Sequence, residues 1–159
     1  MVLLTAIGFY LVSGSFQVDA ILSGDEMPFI YLIGIFIGFL FILTIKFRKS
    51  PFDLSMSHHA HQDLVRGLTT EFSGRSLAAV EISHWYENIM LLGFVFLFFC
   101  NGTIVGYVVG IVVCILAYFL EIVIDNCFAR MKWQVALKSS WVVAIALGVI
   151  NVGALMILL

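Results

Sequence analysis

Long runs of apolar residues alternate with short polar breaks along this chain of 159 residues. A helix needs about 20 apolar residues to cross the hydrocarbon core of a bilayer. The runs predict five such helices, at about residues 2–22, 28–47, 77–100, 104–127 and 139–159. We therefore predict an all-α integral membrane protein with a single membrane domain, residues 1–159, and one long polar loop over residues 48–76.

The composition also indicates a membrane location. Hydrophobic residues make up 62% of the chain and charged residues 11%, whereas soluble domains are roughly half apolar and about a quarter charged. The formal net charge of −2 gives no indication of a nucleic-acid partner. Cys100, Cys114 and Cys127 lack a C-x-x-C spacing, so we interpret them as packing residues and expect no iron–sulfur cluster in this chain.

The basic residues predict the orientation. Five of the eight Lys and Arg residues lie over residues 46–75, where the second segment ends and the third has not yet begun. The other three lie over residues 130–138, between the fourth and fifth segments. The turns at 23–27 and 101–103 contain none. The positive-inside rule makes the basic side cytoplasmic. We therefore predict that the loop 48–76 faces the cytoplasm and that the chain lies in the cytoplasmic membrane.

The polar loop has its own local pattern. It contains three histidines within four positions, His58, His59 and His61. Pro51 disfavours helix at the residue before it, Ser57 can cap a short amphipathic helix over about residues 58–66, and Gly67 can end that helix. Zinc sites need three or four ligands and no cysteine is near, so we interpret the histidines as hydrogen-bonding or proton-accepting groups at a subunit contact.

Ionisable residues inside the predicted spans are the candidate functional groups. They are Glu81, His84 and Glu87 in the third span, and Glu121 and Asp125 in the fourth. A charge at the bilayer centre costs at least about 2.5–3.5 kcal/mol, so these side chains should face a protein interior or a wet cavity. Glu87 and Glu121 are the deepest, and neither has a basic residue within its own span. Two hypotheses stay open: interfacial acids that pair with Lys or Arg, and a proton relay of clustered carboxylates.

The loop and its flanks resemble a known family. The stretch "KSPFDLSMSHHAHQDLVRGLTTEFSG", followed by "EISHWYEN", is similar to the signature of the respiratory complex I subunit 1 family, the membrane subunit under the quinone module. Its detailed form, with "YFLEIVIDNCFARMKWQ" and "KSSW" further along, resembles the membrane subunit of Ech-type energy-converting [NiFe] hydrogenases. That family has more membrane helices than this chain predicts, so we expect a fragment, a split subunit or a misread start.

The resemblance implies a subunit without redox chemistry or cofactors of its own, in a complex that couples ferredoxin oxidation and hydrogen evolution to ion translocation. The [NiFe] centre and the iron–sulfur clusters would belong to the hydrogenase large and small subunits and a ferredoxin-like subunit, with antiporter-like membrane subunits alongside. An acidic proton path would comprise Glu71, Glu81, His84, Glu87, Glu121 and Asp125. The soluble arm would dock on the cytoplasmic loop, at Pro51, Phe52, Asp53, His58, His59, His61 and Arg66.

Two other functions fit the same architecture. Quinone-reducing relatives have glutamates where residues 55–61 carry histidines, so the loop favours the hydrogenase over a complex I-like quinone oxidoreductase. A free-standing secondary transporter with a carboxylate ion site would be active without iron–sulfur partners. The sequence does not distinguish H⁺ from Na⁺ as the pumped ion.

Overall fold

The computed structural model of the chain describes residues 1–24, 27–47, 72–127 and 133–158, and the regular structure in these ranges is helical. The helices are α1 (Val2–Ser13), α2 (Val18–Leu22), α3 (Pro28–Tyr31), α4 (Ile33–Lys46), α5 (Arg75–Leu97), α6 (Ile104–Cys127), α7 (Trp133–Val143) and α8 (Ile150–Leu158), with a π-helical segment, Ala144–Val149, between α7 and α8. The described part of the chain thus confirms the all-helical fold class.

Within the described ranges, two stretches of helix are long and apolar enough to cross a membrane, Ile104–Cys127 and Gln134–Ile157. In their most apolar windows only 17% and 11% of the residues are buried within the chain. Apolar helices with so much exposed surface suit a lipid solvent or contact with other membrane subunits. Of the shorter apolar helices, Ile33–Lys46 packs against both stretches, and Val2–Ser13 packs against the C-terminal part of Gln134–Ile157.

The first two predicted spans are each divided in the structure. Helix α1 ends at Ser13 because Gly14 adopts a left-handed conformation with φ 71°, and its N–H donates to the Tyr10 carbonyl. The chain becomes helical again only at α2. Pro28 starts α3, which suits the first helical turn, and Leu32, with φ −112°, separates α3 from α4. Hydropathy located both segments but not these breaks.

Helix α4 is the centre of the bundle. It packs against α1, α3, α5, α6, α7, α8 and the π-helical segment. Ile35, Phe39 and Leu43 are fully buried and recur every four residues, so they lie on one face of the helix. Gly34 lets α4 approach α8 closely, since a Cβ there would lie 3.2 Å from the Asn151 Cβ. Because α4 is central and packs against both α5 and α6, side chains at its C-terminal end can reach either helix.

One end of the bundle is packed with aromatic rings. Ring centroids are 4.8 Å apart for Phe9 and Phe98, 4.6 Å for Phe29 and Phe99, and 5.2 Å for Phe36 and Phe98. The Phe29 N–H donates to the Phe98 carbonyl at 2.8 Å. We call these five phenylalanines the aromatic cluster. They hold the N-terminal part of α3 and α4 against the end of α5.

The chain just after α2, at residues 23–24, lies beside the turn at 101–103 at this same end. A Cβ at Gly102 would lie 3.4 Å from the Ser23 carbonyl oxygen. The Tyr107 hydroxyl lies 3.5 Å from the Leu22 carbonyl oxygen, to which it donates. Thr103 caps α6, because its hydroxyl accepts from the Gly106 N–H at 3.2 Å. Two turns on the same side of a membrane would lie next to each other in this way.

Candidate functional site

Polar side chains on three helices form two groups near the end of the bundle opposite the aromatic cluster, one at Glu121 and one at Glu87. They are Thr44 and Lys46 on α4, His84 and Glu87 on α5, and Glu121 on α6, and we call them the acidic site. Helix α4 contributes its last turn, α5 its polar first half and α6 its C-terminal third. The site therefore depends on the central position of α4.

Glu121 is the innermost group of the acidic site, with only 1% of its surface exposed. It belongs to the inward face of α6, with Gly106, Gly110 and Ala117. Spacings of four, seven and four residues bring these positions onto one side of a helix. The small residues allow close packing with α5, since a Cβ at Gly110 would lie 2.7 Å from the Phe96 ring. The same face then carries the Glu121 carboxyl into the bundle.

Thr44 is the direct neighbour of Glu121. Its Oγ1 lies 3.1 Å from Glu121 Oε1, and only 4% of Thr44 is exposed. The same hydroxyl lies 3.3 Å from the Leu40 carbonyl oxygen, one turn earlier on α4. A buried carboxyl group is costly unless hydrogen bonds replace its lost hydration. Thr44 supplies such a bond from a different helix.

Glu87 forms an ion pair across the bundle. Lys46 Nζ lies 2.6 Å from Glu87 Oε1, with 48% and 37% of the two side chains exposed. On the other side of the carboxylate, His84 Nδ1 lies 3.9 Å from Glu87 Oε2. Glu87 has no Lys or Arg within its own span, but α4 provides Lys46. In this structure Glu87 is therefore paired with a lysine of another helix.

The remaining predicted acids have different surroundings. Glu81 is exposed near the start of α5, and Asp125 is half-buried one turn beyond Glu121 on α6. Glu71 and the predicted short helix over residues 58–66 lie outside the described residues. So do the predicted docking residues Pro51, Phe52, Asp53, His58, His59, His61 and Arg66.

Two members of the acidic site were not among the sequence-based candidates. Thr44 is the one hydroxyl residue in the apolar run "IGIFIGFLFILTIK" of α4. That isolated hydroxyl is the feature of the sequence that could have identified Thr44 as a candidate. Lys46 is one of the basic residues that predict the orientation, and its sequence position does not indicate a contact with Glu87. Phe47 follows directly and its ring lies 6.2 Å from that of Tyr118, in an edge-to-face contact. This contact further joins the end of α4 to α6.

The thiols of the two cysteines within the bundle form hydrogen bonds to backbone carbonyls. Cys100 Sγ donates to the Phe96 carbonyl and Cys114 Sγ to the Leu92 carbonyl, each at 3.3 Å. Cys127 is exposed. Across residues 1–24, 27–47, 72–127 and 133–158, no three His, Cys, Asp or Glu side chains are grouped as a metal site requires. The side chains of the acidic site can bind protons and form ion pairs.

A family model described as NADH dehydrogenase matches residues 1–156 of the chain. Neither the curated proteins nor the solved structures include a match. The family match agrees with the loop motif, and it does not distinguish the hydrogenase branch. Membership implies a membrane subunit with partner subunits in a respiratory-type oxidoreductase complex. The match over nearly the whole length shows that the chain belongs to the NADH dehydrogenase family, the family of complex I subunit 1.

Proposed function

We propose that this chain is an ion-translocation-coupling membrane subunit in which Glu121 binds and releases protons. The observation that supports this most directly is a carboxyl group that is 1% exposed and lies 3.1 Å from the Thr44 hydroxyl. Ionisable side chains within membrane bundles are expensive and mark ion or proton pathways. In this proposal the chain performs no redox chemistry itself.

The acids on α5 and α6 differ in burial. Glu81 is exposed, Glu87 has 37% of its side chain exposed, and Glu121 is buried. A proton would enter where carboxylates meet water and end on the group that water does not reach. The Lys46 ammonium balances the charge of Glu87, so in this proposal Glu87 acts mainly as a fixed anion beside the path and Glu121 as the carrier.

The complex that we propose is a ferredoxin-dependent, hydrogen-evolving [NiFe] hydrogenase of the cytoplasmic membrane. The support is the similarity of the loop and of "EISHWYEN" to the Ech-type branch. Its large and small subunits and a ferredoxin-like subunit would dock on the cytoplasmic loop and hold the [NiFe] centre and the clusters. Exposed apolar side chains such as Ile115 and Phe119 on α6 would contact lipid or antiporter-like subunits.

The proton path is tested with Glu121→Gln and Glu87→Gln, since Gln is nearly isosteric and cannot titrate. Both variants should assemble and keep electron transfer to an artificial dye, because that chemistry belongs to partner subunits. Glu121→Gln should abolish ion uptake by sealed vesicles, and Glu87→Gln should reduce it. Asp19→Asn, at an exposed acid on α2, is the matched control and should pump normally. Wild-type ratios of ions to electrons in both Glu variants would contradict the proposal.

The hydrogenase assignment is tested separately, by metal analysis of the complex purified through this chain. Stoichiometric nickel together with iron is the expected result. Iron without nickel, with quinone reduction, would instead identify a complex I-like quinone oxidoreductase, the candidate that the NADH dehydrogenase family match supports. Activity of the chain alone in vesicles, without iron–sulfur partners, would indicate a secondary transporter.

A further inference from the structure

The Thr44 hydroxyl lies near two oxygen atoms. Glu121 Oε1 is 3.1 Å away, and the Leu40 carbonyl oxygen is 3.3 Å away, so both are within hydrogen-bonding distance. Thr44 is 4% exposed and Glu121 is 1% exposed, so the pair is shielded from bulk water. A threonine hydroxyl has one proton to donate and two lone pairs that accept. It can therefore donate to only one of these two oxygens at a time.

The two arrangements correspond to two protonation states of Glu121. When Glu121 is a carboxylate, the Thr44 O–H donates to Oε1. When Glu121 is a carboxylic acid protonated on Oε1, its O–H donates to Thr44 Oγ1, and the Thr44 O–H rotates to donate to the Leu40 carbonyl. Only one proton is gained or lost overall, and the Thr44–Glu121 hydrogen bond exists in both states.

We propose that Thr44 is a positioning residue whose hydroxyl keeps Glu121 hydrogen-bonded in both protonation states. This inference rests on the proposed role of Glu121 as a proton carrier. A carrier works best when neither of its states is much more stable than the other, and a buried polar group that loses its partner is heavily penalised. Thr44 avoids that penalty by rotating one bond, without moving a helix.

Thr44→Val tests the inference because valine has nearly the shape of threonine and no hydroxyl. Thr44→Ser restores the hydroxyl. Thr5→Val is the matched control, since Thr5 is also fully buried and donates to the carbonyl four residues earlier, that of Met1. These variants leave unchanged the charged and titratable residues that the same three helices carry near this end of the bundle, which are Lys46, His84, Glu87, Tyr118 and Asp125.

The direct measurement is the infrared carbonyl stretch of protonated Glu121, in the full chain reconstituted in lipid bilayers. Difference spectra between acidic and alkaline pH contain this band, and its loss in Glu121→Gln identifies it. The band should shift in Thr44→Val, return in Thr44→Ser and stay unchanged in Thr5→Val. In the assembled complex, Thr44→Val should slow ion uptake by at least about tenfold, equivalent to about 1.4 kcal/mol in the barrier.

The possible failures are distinguishable. An identical Glu121 band in wild type and Thr44→Val would overturn the role of Thr44 and leave the proton path intact. A spectrum of Glu121→Gln that matches wild type at every pH would show that Glu121 takes up no proton, and would overturn both proposals. A shifted band that Thr44→Ser does not restore would show that packing, and not the hydroxyl, is responsible.

Discussion

The ion pair between Lys46 and Glu87 allows a quantitative prediction about the acidic site. Two unit charges 2.6 Å apart attract by about 1.6 kcal/mol in water and by about 6 kcal/mol at an effective dielectric constant of roughly 20. The side chains are 48% and 37% exposed, so solvent screening and lost side-chain freedom offset most of this attraction. Exposed pairs contribute about 0.2–1 kcal/mol when measured. We expect a coupling energy near the upper end of that range.

The measurement is a double-mutant cycle on the full chain in detergent, with Lys46→Met, Glu87→Gln and the double variant. The free energy of unfolding of each should be obtained at about 0.1 M salt and again at about 1 M, where the screening length falls from about 10 Å to about 3 Å. The coupling should shrink at high salt. Lys46→Arg is the control, since it keeps the positive charge and should retain most of the coupling.

Two results would refute this account. A coupling energy of zero at low salt would show that the two groups do not interact in solution. A coupling of several kcal/mol that high salt leaves unchanged would show that the pair is buried, contrary to the exposure in the structure. The second result would also mean that Lys46 fixes the charge of Glu87 much more firmly than we propose.

Two further predictions concern orientation and packing. In a Cys127→Ser background, a membrane-impermeant thiol reagent added to intact cells should label Gly24→Cys and not Lys138→Cys; the reverse pattern would overturn the orientation derived from the basic residues. Phe98→Ala should lower the free energy of unfolding in detergent by about 3–5 kcal/mol, because the Phe98 ring is fully buried among other rings. Phe119→Ala, at a position that is 61% exposed, should change it by less than about 0.5 kcal/mol. Equal losses in the two Phe variants would contradict the packing of the aromatic cluster.

Helix type and approximate location followed from sequence because apolar runs of this length leave the backbone few alternatives in lipid. Helix α6 occupies Ile104–Cys127, the same residues as the predicted fourth span. The break after Ser13 was not predicted, because hydropathy sums over a window and takes no account of the backbone conformation of one residue. Gly14 ends α1 through its left-handed φ, although the apolar pattern around it continues.

For the acids too, the sequence indicated which side chains are costly in lipid but not which other groups surround them. Insertion cost alone indicated that Glu121 turns away from lipid, and it is buried. The same argument did not distinguish Glu81, which is exposed, because a helix exposes different faces to different surroundings. The cost of burial depends on depth and partners, and only depth can be estimated from sequence.

From the sequence alone, the helical class and the family motif could be recognised, a basic side could be predicted, and the acids within the predicted spans could be singled out. Which groups meet depends on how the helices pack. Thr44 and Glu121 are 77 positions apart in the chain, and Lys46 and Glu87 are 41 apart. Periodicity assigns each residue to a face of its own helix, but which faces pack together depends on the small residues and rings that let helices approach. The central packing of α4 brings a threonine and a lysine, neither of them a sequence-based candidate, to the two deepest acids.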